Sequence, residues 1–276
     1  MASIPLSVLT WNVNFRAVSA LDSLAALPDL PDIVTLQEVT LKQAGAICER
    51  LQSLGFNSVY SGDAEAPEKR YGNVIAARMP LASSRSCAAE FPWPQLVGKA
   101  VLDTEAGPIN VITVHVPNGS GNGWKKIITL EALKQMILGL KGEPLILTGD
   151  FNEPMWAPLQ VGRIVTWGQE EQDGLWRPWS TWTFDGITDS GERWDTAVRW
   201  FFEHSNESGI RNAFWDVNGH GAMEASHLSR GAERWFDHVF VSRCFRTAAC
   251  GYLHLFRESG FSDHSPLIAT LSYGSG

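Results

Sequence analysis

Polar side chains interrupt or end several of the apolar runs that this sequence would otherwise bury. These residues are Asn12, Glu38, His115, Asp150, Asn152, Asp237, Asp263 and His264. A single residue of this kind is most simply a cap or a turn residue, whereas a whole set in similar positions needs a common cause. Buried carboxylates are unfavourable unless they are paired or bound to a cation. We therefore expect these side chains to meet in one site that holds a metal ion.

The types of these side chains indicate which cation they would hold. Asparagine, glutamate and aspartate offer oxygen ligands, and no cysteine pair or zinc-spaced histidine pair accompanies them. Oxygen ligands of this kind suit Mg²⁺ or Mn²⁺. Asp150 and Asn152 are two residues apart, so both point to one face of an extended segment. The sequence therefore predicts a Mg²⁺ or Mn²⁺ pocket.

Short apolar runs with few helices between them make up most of the chain. Strands are predicted at 6–12, 31–39, 72–78, 96–104, 108–116, 143–152, 234–242, 248–256 and 265–273. Helices are predicted at 44–56, 124–142 and 192–205. Helices set between groups of strands favour two packed sheets flanked by helices, which is an α/β sandwich.

Length and composition place few limits on the function. A chain of 276 residues forms one large domain or two small ones, and it contains no internal repeat, low-complexity linker or clean domain boundary. A composition of 44% hydrophobic and 19% charged residues is ordinary for a soluble protein. The net charge of −8 argues against a broad electrostatic attraction to nucleic acid, but a local basic groove is still compatible with it.

The cysteines and the apolar runs bear on location. Cys48, Cys87, Cys244 and Cys250 are scattered without a CxxC pair, which favours reduced thiols in a cytoplasm. We find no signal peptide and no apolar run of roughly 18 residues, the length of a membrane span. The sequence therefore predicts a cytoplasmic protein without a membrane span, and it indicates no obligate protein partner.

Six short motifs carry a resemblance to a known family. In chain order they are "WNVNFRA", "LQEV", "VHVPN", "GDFN", "DHVFVS" and "SDHSP". Together they resemble the endonuclease/exonuclease/phosphatase superfamily, and most closely its exonuclease III and apurinic/apyrimidinic endonuclease members. The motifs span residues 11–266, so the resemblance implies a single catalytic domain over 1–276. It also implies a four-layer α/β sandwich, in which two packed mixed β-sheets are flanked by helices.

The resemblance implies which residues hold the cofactor. Asn12 and Glu38 match residues that hold the divalent ion, and Asp263 matches a further acid on the metal side. The implied cofactor is Mg²⁺ or Mn²⁺.

The resemblance also implies the catalytic roles. Asp150 and Asn152 match the pair that positions the attacking water and a phosphate oxygen. His264 matches the histidine that contacts the scissile phosphate or handles the proton, and Asp237 matches the carboxylate that orients it. An acid–histidine pair of this kind fixes the imidazole tautomer and raises its basicity. The implied reaction is attack of water on a phosphodiester, assisted by the metal.

The residues of "VHVPN" blur the subfamily. The nuclease branch often has tyrosine where this chain has His115, whereas deoxyribonuclease I and the sphingomyelinase and inositol-phosphatase types have histidine. His115 is therefore a proton donor to the leaving oxygen, a phosphate ligand or a hydrogen-bonded core histidine. Asn118 matches the asparagine of the nuclease motif and is a candidate substrate contact, unless it is a plain turn residue of the "PNGSGNG" loop.

Further residues are candidates for contact with substrate. Trp124, Lys125 and Lys126 follow the glycine-rich loop, and an aromatic ring beside cations suits base stacking and phosphate contact. The alternative is a helix N-terminus with a solvated lysine pair. His227 and Arg230 precede the strand of Asp237, from which they could line the cleft.

Two further stretches give weaker indications of function. Lys69 and Arg70 form a basic pair that is either a surface turn or a substrate contact. The segment at about 155–235 is rich in tryptophan and arginine, and we predict that it elaborates the catalytic domain. The tryptophans of its "WRPWSTWTF" stretch are either core packing, which this residue type favours, or stacking platforms.

Three functions fit these observations. A divalent-metal-dependent nuclease that cuts DNA or RNA is supported by "WNVNFRA", "VPN" and the Trp-Lys-Lys helix start. A hydrolase of a smaller phosphoester, such as a nucleotide, a phosphoinositide or a sphingomyelin-type head group, is supported by His115 and the acidic balance. A catalytically inactive binding module is disfavoured because the expected motif residues are all present. We favour the nuclease, with nucleic acid as its substrate.

Overall fold

The computed structural model describes residues 4–61, 71–82, 91–119, 123–154, 168–170, 172, 176–178, 190–203 and 205–274. Its helices are α1 (Ala17–Ala25), α2 (Leu41–Ser53), α3 (Gly123–Gly139), α4 (Ser190–Phe202), α5 (Ser205–Ser208), α6 (Ala213–Asn218) and α7 (His254–Glu258). Its strands are β1 (Ile4–Asn12), β2 (Ile33–Thr40), β3 (Asn57–Tyr60), β4 (Tyr71–Ala77), β5 (Leu81–Ala82), β6 (Val97–Thr104), β7 (Gly107–His115), β8 (Leu145–Asp150), β9 (Gly168–Glu170), β10 (Trp176–Pro178), β11 (Ile210–Asn212), β12 (His227–Ser229), β13 (Ala232–Arg234), β14 (Asp237–Ser242), β15 (Phe245–Tyr252) and β16 (Leu267–Tyr273).

Most of these strands belong to two six-stranded sheets. The first has the order β15-β16-β1-β2-β4-β3, and the second has the order β11-β14-β8-β7-β6-β5. β1 is parallel to β2 and β7 is parallel to β8, while their other neighbours are antiparallel, so both sheets are mixed. The short pairs β9–β10 and β12–β13 lie outside these sheets. The two mixed sheets confirm the fold predicted from the sequence.

Alternation of side chains along the strands builds the layers. In β1, Leu6 and Val8 belong to the core between the sheets, whereas Leu9 and Trp11 belong to a separate cluster with α1 and α2. This is the two-residue period of a strand with both faces buried. Helices α3 and α4 contribute to the apolar cluster of the second sheet. Helix, sheet, sheet and helix thus form four layers.

Buried polar side chains tie the two sheets together. Gln37 Nε2 donates to the hydroxyls of Thr10 and Thr113, at 3.1 and 2.9 Å. The hydroxyls of Thr35 and Thr148 lie 2.8 Å apart. Each of these side chains is fully buried. Because buried polar groups must stay hydrogen-bonded, the contacts hold one sheet in a fixed position against the other.

The strand directions explain why the motif residues meet. The carboxyl ends of β1 and β2 lie at one edge of the first sheet, and those of β7 and β8 lie at one edge of the second. Asn12, Glu38, His115 and Asp150 lie at or near these ends. Asp237 begins the antiparallel β14 directly opposite Asp150. The two edges meet, because Asn12 Nδ2 donates to Asp150 Oδ2 at 2.9 Å.

Several elements differ from the prediction, and two of them illustrate why. The run at 248–256 is not one strand, because β15 ends at Tyr252 and α7 begins at His254. The sequence reasoning also missed α1, which begins without a side-chain cap and without an acidic residue in its first turn. A side-chain cap and an acidic first turn are the features that mark a helix start in a sequence, and α1 lacks both.

The thiols and the helices bear on the predicted location. Cys48, Cys244 and Cys250 are free cysteines, and Cys87 lies outside the described residues. Among the described segments, no helix combines the length and the apolar character needed to cross a bilayer.

Candidate active site

A pocket of about 730 Å³ opens where the edges of the two sheets meet. The predicted site residues in its lining are Glu38, His115, Asn118, Asp150, Asn152, His227, Arg230, Asp263 and His264. Asn12 and Asp237 contact members of this lining but are themselves buried, at 1% and 0% exposure. The structure thus brings residues from all six motifs to one place.

Left-handed backbone conformations help to aim three side chains into this pocket. Asn14, Glu38 and Asn152 have φ angles of 42°, 58° and 51°. Residues other than glycine seldom adopt such angles, and the strain often occurs at functional sites. At Glu38 the pairing of β2 with β4 is irregular between Leu36 and Val39. A bulge of this kind redirects a side chain at the end of a strand.

Gly149 sets the position of Asp150. Its φ is +136°, and a Cβ atom there would lie 2.0 Å from the carbonyl oxygen of Val114. No side chain fits this distance, so glycine is required. The close approach of β8 to β7 places Asp150 opposite His115.

Asp150 is the centre of the hydrogen-bond network. Its Oδ1 accepts from the backbone nitrogen of Asn152 at 2.8 Å, and its Oδ2 accepts from Asn12. The Nε2 atoms of His115 and His264 each lie 3.8 Å from Oδ2. Burial raises the pKa of Asp150, and the charge of His264 only partly opposes this. A carboxylate in this environment is a better proton acceptor than an exposed one.

His264 is held by a buried carboxylate. Its Nδ1 donates to Asp237 Oδ2 at 2.8 Å, so Nε2 is the nitrogen on the side of Asp150 and the pocket. Burial alone would lower the pKa of His264, but Asp237 and Asp150 outweigh it and raise the pKa to about 10. The ring is therefore an imidazolium at neutral pH, able to donate a proton to an anion in the pocket.

Residues of β1 brace the loop that carries His264. Trp11 Nε1 donates to the carbonyl oxygen of His264 at 2.9 Å. Ser262 Oγ donates to the carbonyl oxygen of Asn12 at 2.7 Å and accepts from the backbone nitrogen of His264 at 3.1 Å. The first and last motifs of the chain therefore hold each other in place.

Carboxylates on the pocket wall are candidates for holding a divalent cation. Burial raises the pKa of Glu38, against the hydrogen bond from Asn12. Burial also acts to raise the pKa of Asp263, but His227 and His264 outweigh it and lower the pKa to about 2. A cation would offset the burial of these acids, and oxygen ligands suit Mg²⁺ or Mn²⁺.

Two groups of side chains also bring nitrogen and oxygen ligand atoms close together. One consists of His227, Asp263 and His264, and the other consists of Asp150, Asp237 and His264. In each group the ligand atoms lie within 4.8 Å of one another. His264 belongs to both groups, and as an imidazolium it is not a metal ligand, so the oxygen atoms of the acids are the donors that fit a divalent metal. The choice between Mg²⁺ and Mn²⁺ stays a prediction.

Asn12 has a different contact from the one predicted. Its Nδ2 points at two carboxylates, 3.2 Å from Glu38 Oε1 and 2.9 Å from Asp150 Oδ2. Its Oδ1 accepts from the backbone nitrogen of Asn14 at 3.0 Å. In this arrangement Asn12 links the acids to each other, and its role as a metal ligand stays a prediction that requires rotation of the amide.

His115 is a neutral imidazole in the pocket wall. Burial lowers its pKa, and Asp150 only partly opposes this. Its Nε2 lies 3.4 Å from Glu38 Oε1, while its Nδ1 has no hydrogen-bond partner among the described residues. The ring of Tyr71 packs against it with centroids 5.5 Å apart. Nδ1 is enclosed by protein atoms, so it gives no evidence of a phosphate contact, and the roles of His115 as a proton donor or a phosphate ligand stay predictions.

The structure corrects two predicted substrate contacts. Trp124 is 2% exposed and Lys126 is 0% exposed, and neither lines the pocket. Lys126 Nζ instead donates to Glu153 Oε1 at 2.8 Å. The sequence pattern failed here because α4 packs over the start of α3, which the pattern left to solvent. Lys125 is only partly buried, with Nζ 5.1 Å from the centre of the Trp93 ring, so its contact with substrate stays a prediction.

The hairpin of β12 and β13 forms one wall of the pocket. His227 lies on β12, with Nε2 3.5 Å from Asp263 Oδ2 and its ring 4.5 Å from the ring of His264. Arg230, in the turn, and Arg234, on β13, also line the pocket. The hairpin therefore gives the acidic pocket a basic side.

Several lining residues were missed by the sequence reasoning. They are Asn14, Tyr71, Pro117, Ser229, Arg234 and Phe236. Asn14 and Pro117 lie inside recognised motifs, and Phe236 directly precedes one, so proximity to a motif was an available signal. Tyr71 begins a strand that the sequence marks only by its apolar pattern, and Arg234 ends the short β13, which the sequence does not mark.

The remaining predictions concern the basic pair and the tryptophans. Lys69, Arg70 and the side chains of "WRPWSTWTF" lie outside the described residues. Four other tryptophans of the 155–235 segment, Trp194, Trp200, Trp215 and Trp235, are at most 9% exposed. These four pack as core.

Two mixed sheets flanked by helices thus carry an acid–histidine pair and a carboxylate cluster at one edge. The chain belongs to the Endonuclease/Exonuclease/phosphatase family, whose model matches residues 9–264. Enzymes of this family hydrolyse phosphoesters with divalent metals. No curated protein matches the sequence.

Solved structures share the fold over nearly the whole chain. The 3' phosphatase NExo from Neisseria, bound to a product DNA hairpin, is 22% identical with a TM-score of 0.65, and covers 96% of this chain and 98% of its own. An AP endonuclease from Archaeoglobus fulgidus is 19% identical with a TM-score of 0.67, at 96% and 98% coverage. ANGEL2, a 2',3'-cyclic phosphatase, is 17% identical with a TM-score of 0.63, at 99% and 97% coverage. At these identities the likeness shows the fold alone.

Proposed function

We propose that the protein is a divalent-metal-dependent nuclease that hydrolyses phosphodiester bonds of DNA or RNA by direct attack of water. The observation that carries this proposal is the placement of His264 and Asp237 beside Asp150, in a pocket that is also lined by Glu38. We further propose one catalytic domain over 1–276, elaborated at about 155–235, in a cytoplasmic protein with reduced thiols. The family match over 9–264 supports the single domain.

Glu38 and Asp263, with Asn12 after rotation of its amide, are the residues that would hold Mg²⁺ or Mn²⁺. When bound, such a cation neutralises charge on the phosphate oxygens and on the leaving oxygen. Asp263 is already in place in the pocket lining, held by Asn14, whose Nδ2 donates to Asp263 Oδ1 at 2.9 Å. A preorganised site needs little rearrangement to bind a substrate.

Asp150 and His264 would carry out the proton chemistry. Asp150, whose pKa is raised by burial, would take a proton from the attacking water. The imidazolium of His264 would donate a hydrogen bond from Nε2 to a phosphate oxygen, with Asp237 fixing the ring. His115 and Asn118 line the pocket where they could hold the phosphate. No covalent intermediate is required, because water is the nucleophile.

Asn152 supports this arrangement through its contacts with Asp150. Its backbone nitrogen donates to Asp150 Oδ1, and its Nδ2 donates to the carbonyl oxygen of Val116 at 2.9 Å. The side chain therefore links the loops that follow β7 and β8. These contacts would keep Asp150 aligned, while a direct contact of Asn152 with the water or the phosphate oxygen, as the resemblance implied, stays a proposal.

A polymeric nucleic acid is favoured by features at the rim of the pocket. Phe15 is 43% exposed and its ring lies 5.4 Å from that of Tyr71, which lines the pocket. An exposed ring next to a phosphate site suits stacking of a base. Arg230 and Arg234 are available for neighbouring phosphates. The NExo structure, by its description, is bound to a product DNA hairpin.

A hydrolase of a smaller phosphoester is the second candidate. Its supporting observation is His115 in the lining of a pocket of about 730 Å³, which is large enough for a nucleotide. ANGEL2, which shares the fold, is described as a 2',3'-cyclic phosphatase in complex with adenosine-2',3'-vanadate.

A substrate panel separates the two candidates. Purified protein is incubated with plasmid DNA, an abasic-site duplex, single-stranded RNA, a nucleoside 2',3'-cyclic phosphate and bis-p-nitrophenyl phosphate, each with Mg²⁺, Mn²⁺ or EDTA. Metal-dependent cutting of DNA or RNA supports the nuclease and names its class. Turnover of the small esters alone moves the assignment to the second candidate. No turnover of any phosphoester would contradict both.

A further inference from the structure

We propose that Lys126 is a positioning residue, whose buried ammonium group holds the two loops that carry Asn118 and Asn152 at a fixed spacing around Asp150. The inference rests on the proposed function, because it concerns the geometry of the same site. It differs from the role that the sequence suggested, in which Lys126 touches substrate phosphate.

The first observation is a fully buried ion pair outside the pocket. The side chains of Lys126 and Glu153 are 0% and 1% exposed, and Lys126 Nζ lies 2.8 Å from Glu153 Oε1. Trp194 Nε1 donates to the same Glu153 oxygen at 2.7 Å. The pair therefore connects α3, the loop after β8 and α4.

The second observation is that the ammonium group also reaches both pocket loops. Lys126 Nζ donates to the carbonyl oxygen of Asn152 at 2.7 Å and lies 3.5 Å from that of Asn118. An ammonium group has three N–H donors. Its described partners include one carboxylate and two carbonyls, so one group joins both loops to the helix.

The two loops in turn hold Asp150. Asn152 donates from its backbone to Asp150 Oδ1 and from its side chain to the carbonyl oxygen of Val116. The backbone nitrogen of Val116 donates to the carbonyl oxygen of Asp150 at 2.8 Å. A shift at the carbonyl of Asn152 would therefore move the carboxylate that faces His264.

The surroundings leave little room for the loops to move. Gly119 has a φ of +78°, and a Cβ there would lie 2.8 Å from the Trp194 ring and 3.3 Å from Lys126 Cδ. On the other side, His238 Nε2 donates to the carbonyl oxygen of Glu153 at 2.7 Å. The loop after β7 is thus packed against the lysine, and the loop after β8 is held from both sides.

Stability alone is a poor explanation for this pair. A buried ion pair is often no more stabilising than apolar residues of similar volume, because both charges lose their hydration. An apolar side chain at 126 could fill the space but could not donate to carbonyls of two loops. A role in positioning the two loops therefore explains why a charged lysine, and not an apolar residue, is buried at position 126.

The test compares three variants by steady-state turnover of bis-p-nitrophenyl phosphate with saturating Mg²⁺, well below their melting temperatures. In Lys126→Met the shape is nearly kept and the donors are lost, and kcat is expected to fall by about 10- to 100-fold, the effect of a misplaced catalytic group. Gly119→Ala perturbs the same contact without removing a charge and should also lower kcat. Lys134→Met is the matched control, because this lysine lies on the same helix with Nζ 5.3 Å from the centre of the Trp200 ring, and its kcat should stay within about twofold.

A second readout does not depend on activity. Hydrogen exchange of the backbone amides at 116–119 and 150–154 should become faster in Lys126→Met, while the amides of β8 before Asp150 stay protected. Ile137→Ala, a cavity variant elsewhere on α3, controls for loss of stability. If Lys126→Met does not fold, turnover and hydrogen exchange are both measured on Gly119→Ala instead.

The outcomes are distinguishable. Loss of turnover together with faster exchange in the two loops, at a melting temperature no lower than that of Ile137→Ala, supports the positioning role. Turnover within about twofold of wild type in both Lys126→Met and Gly119→Ala, or unchanged exchange in the loops, overturns it. A wild-type protein that hydrolyses no phosphoester contradicts the proposed function instead, and the exchange experiment still decides whether Lys126 fixes the loops.

Discussion

The imidazole of His264 offers one nitrogen to the pocket, because Asp237 holds the other at 2.8 Å. The carboxylate fixes the ring and keeps it charged, as the raised pKa of about 10 indicates. Asp237 is itself 0% exposed and lies outside the pocket lining, so it acts through His264 and not on the substrate.

Replacement of Asp237 by Asn should therefore slow catalysis without unfolding the protein. We expect kcat to fall by about 10²- to 10⁴-fold, the usual contribution of an oriented acid–base group, with a much smaller change in KM. Steady-state kinetics and a melting curve check this. Glu224→Gln is the control, because Glu224 pairs with His254 at 2.5 Å outside the pocket lining. Near-wild-type turnover of Asp237→Asn would remove Asp237 from the mechanism.

Glu38 is expected to bind the cation directly. Glu38→Gln keeps the shape and one oxygen but removes the charge, so the Kd for Mg²⁺ should rise by about 10-fold or more, since even indirect partners of a metal contribute this much. Calorimetric titration measures the change, with the exposed Glu49→Gln as control. An unchanged Kd would exclude Glu38 from the metal site.

Most of the residues that the sequence placed correctly in the pocket are those of the motifs, and His227 and Arg230 are the exceptions. Short motifs at strand ends are visible in a sequence because a polar residue there breaks an apolar pattern. Lys126 was misassigned because its partner Glu153 is 27 residues away, and no local pattern shows that α4 covers both. Tyr71 was missed for a similar reason, since its contact with His115 joins two separate sheets.

Among the structural elements, β8 depends most directly on one residue. Gly149→Ala would force a Cβ against the backbone of β7, at 2.0 Å from the carbonyl oxygen of Val114. We expect destabilisation of about 3 kcal/mol or more, with loss of activity as β8 separates from β7. Gly45→Ala in α2 is the control, because a Cβ atom at that position would have no neighbour within 4 Å, and the change should be neutral or stabilising by up to about 1 kcal/mol. Denaturant unfolding compares them, and equal stability of the two variants would contradict the steric argument.

The contact between β14 and the loop after β8 should make stability depend on pH. His238 is fully buried, its Nδ1 lies 3.4 Å from Asn212 Nδ2, and its Nε2 donates to the carbonyl oxygen of Glu153. Burial lowers the pKa of His238 from 6.5 to about 4. The unfolded chain therefore binds a proton that the folded chain resists, and stability present above pH 6.5 is lost as the pH falls toward 4.

Because of His238, the free energy of unfolding should fall by about 3 kcal/mol between pH 7 and pH 4. Denaturant unfolding of wild type and His238→Gln at both pH values measures it, because glutamine can make similar hydrogen bonds but does not titrate. The variant should lose less stability on acidification. An identical pH dependence in the two proteins would contradict a neutral, buried His238.

At the level of elements, apolar periodicity predicts the long strands well because each has at least one face against a core. β1, β7 and β8 fall inside or near their predicted ranges for this reason. Short elements such as α1, α7 and the hairpin β12–β13 are set by tertiary contacts. In α7, Phe256 packs into the outer cluster of the first sheet, and this burial overrides the strand pattern of 248–256.

At the scale of the whole molecule, the two sheets bring acidic residues to a common edge and the hairpin adds arginines beside them. The net charge of −8 therefore does not describe the surface that a substrate meets. Arg230 and Arg234 on the hairpin wall are placed to compensate for the acids when an anionic polymer binds.

Salt should distinguish a polymeric substrate from a small one. If two or three cationic side chains contact phosphates, KM for nucleic acid should rise about 10- to 40-fold between 50 and 200 mM salt, while KM for bis-p-nitrophenyl phosphate changes little. Arg230→Ala should lower the slope of log KM against log salt by about one, and the exposed Arg246→Ala should not. Equal slopes for Arg230→Ala and wild type would place Arg230 away from the phosphates.

The most direct test of the central claim is phosphodiester hydrolysis by wild type and His264→Ala, with Mg²⁺, after EDTA, and after Mg²⁺ is restored. We expect turnover by wild type that EDTA abolishes and Mg²⁺ restores, and a loss of about 10³-fold or more in the variant at unchanged fold. Hydrolysis that survives either EDTA or the loss of His264 would contradict a metal-dependent site built around this histidine.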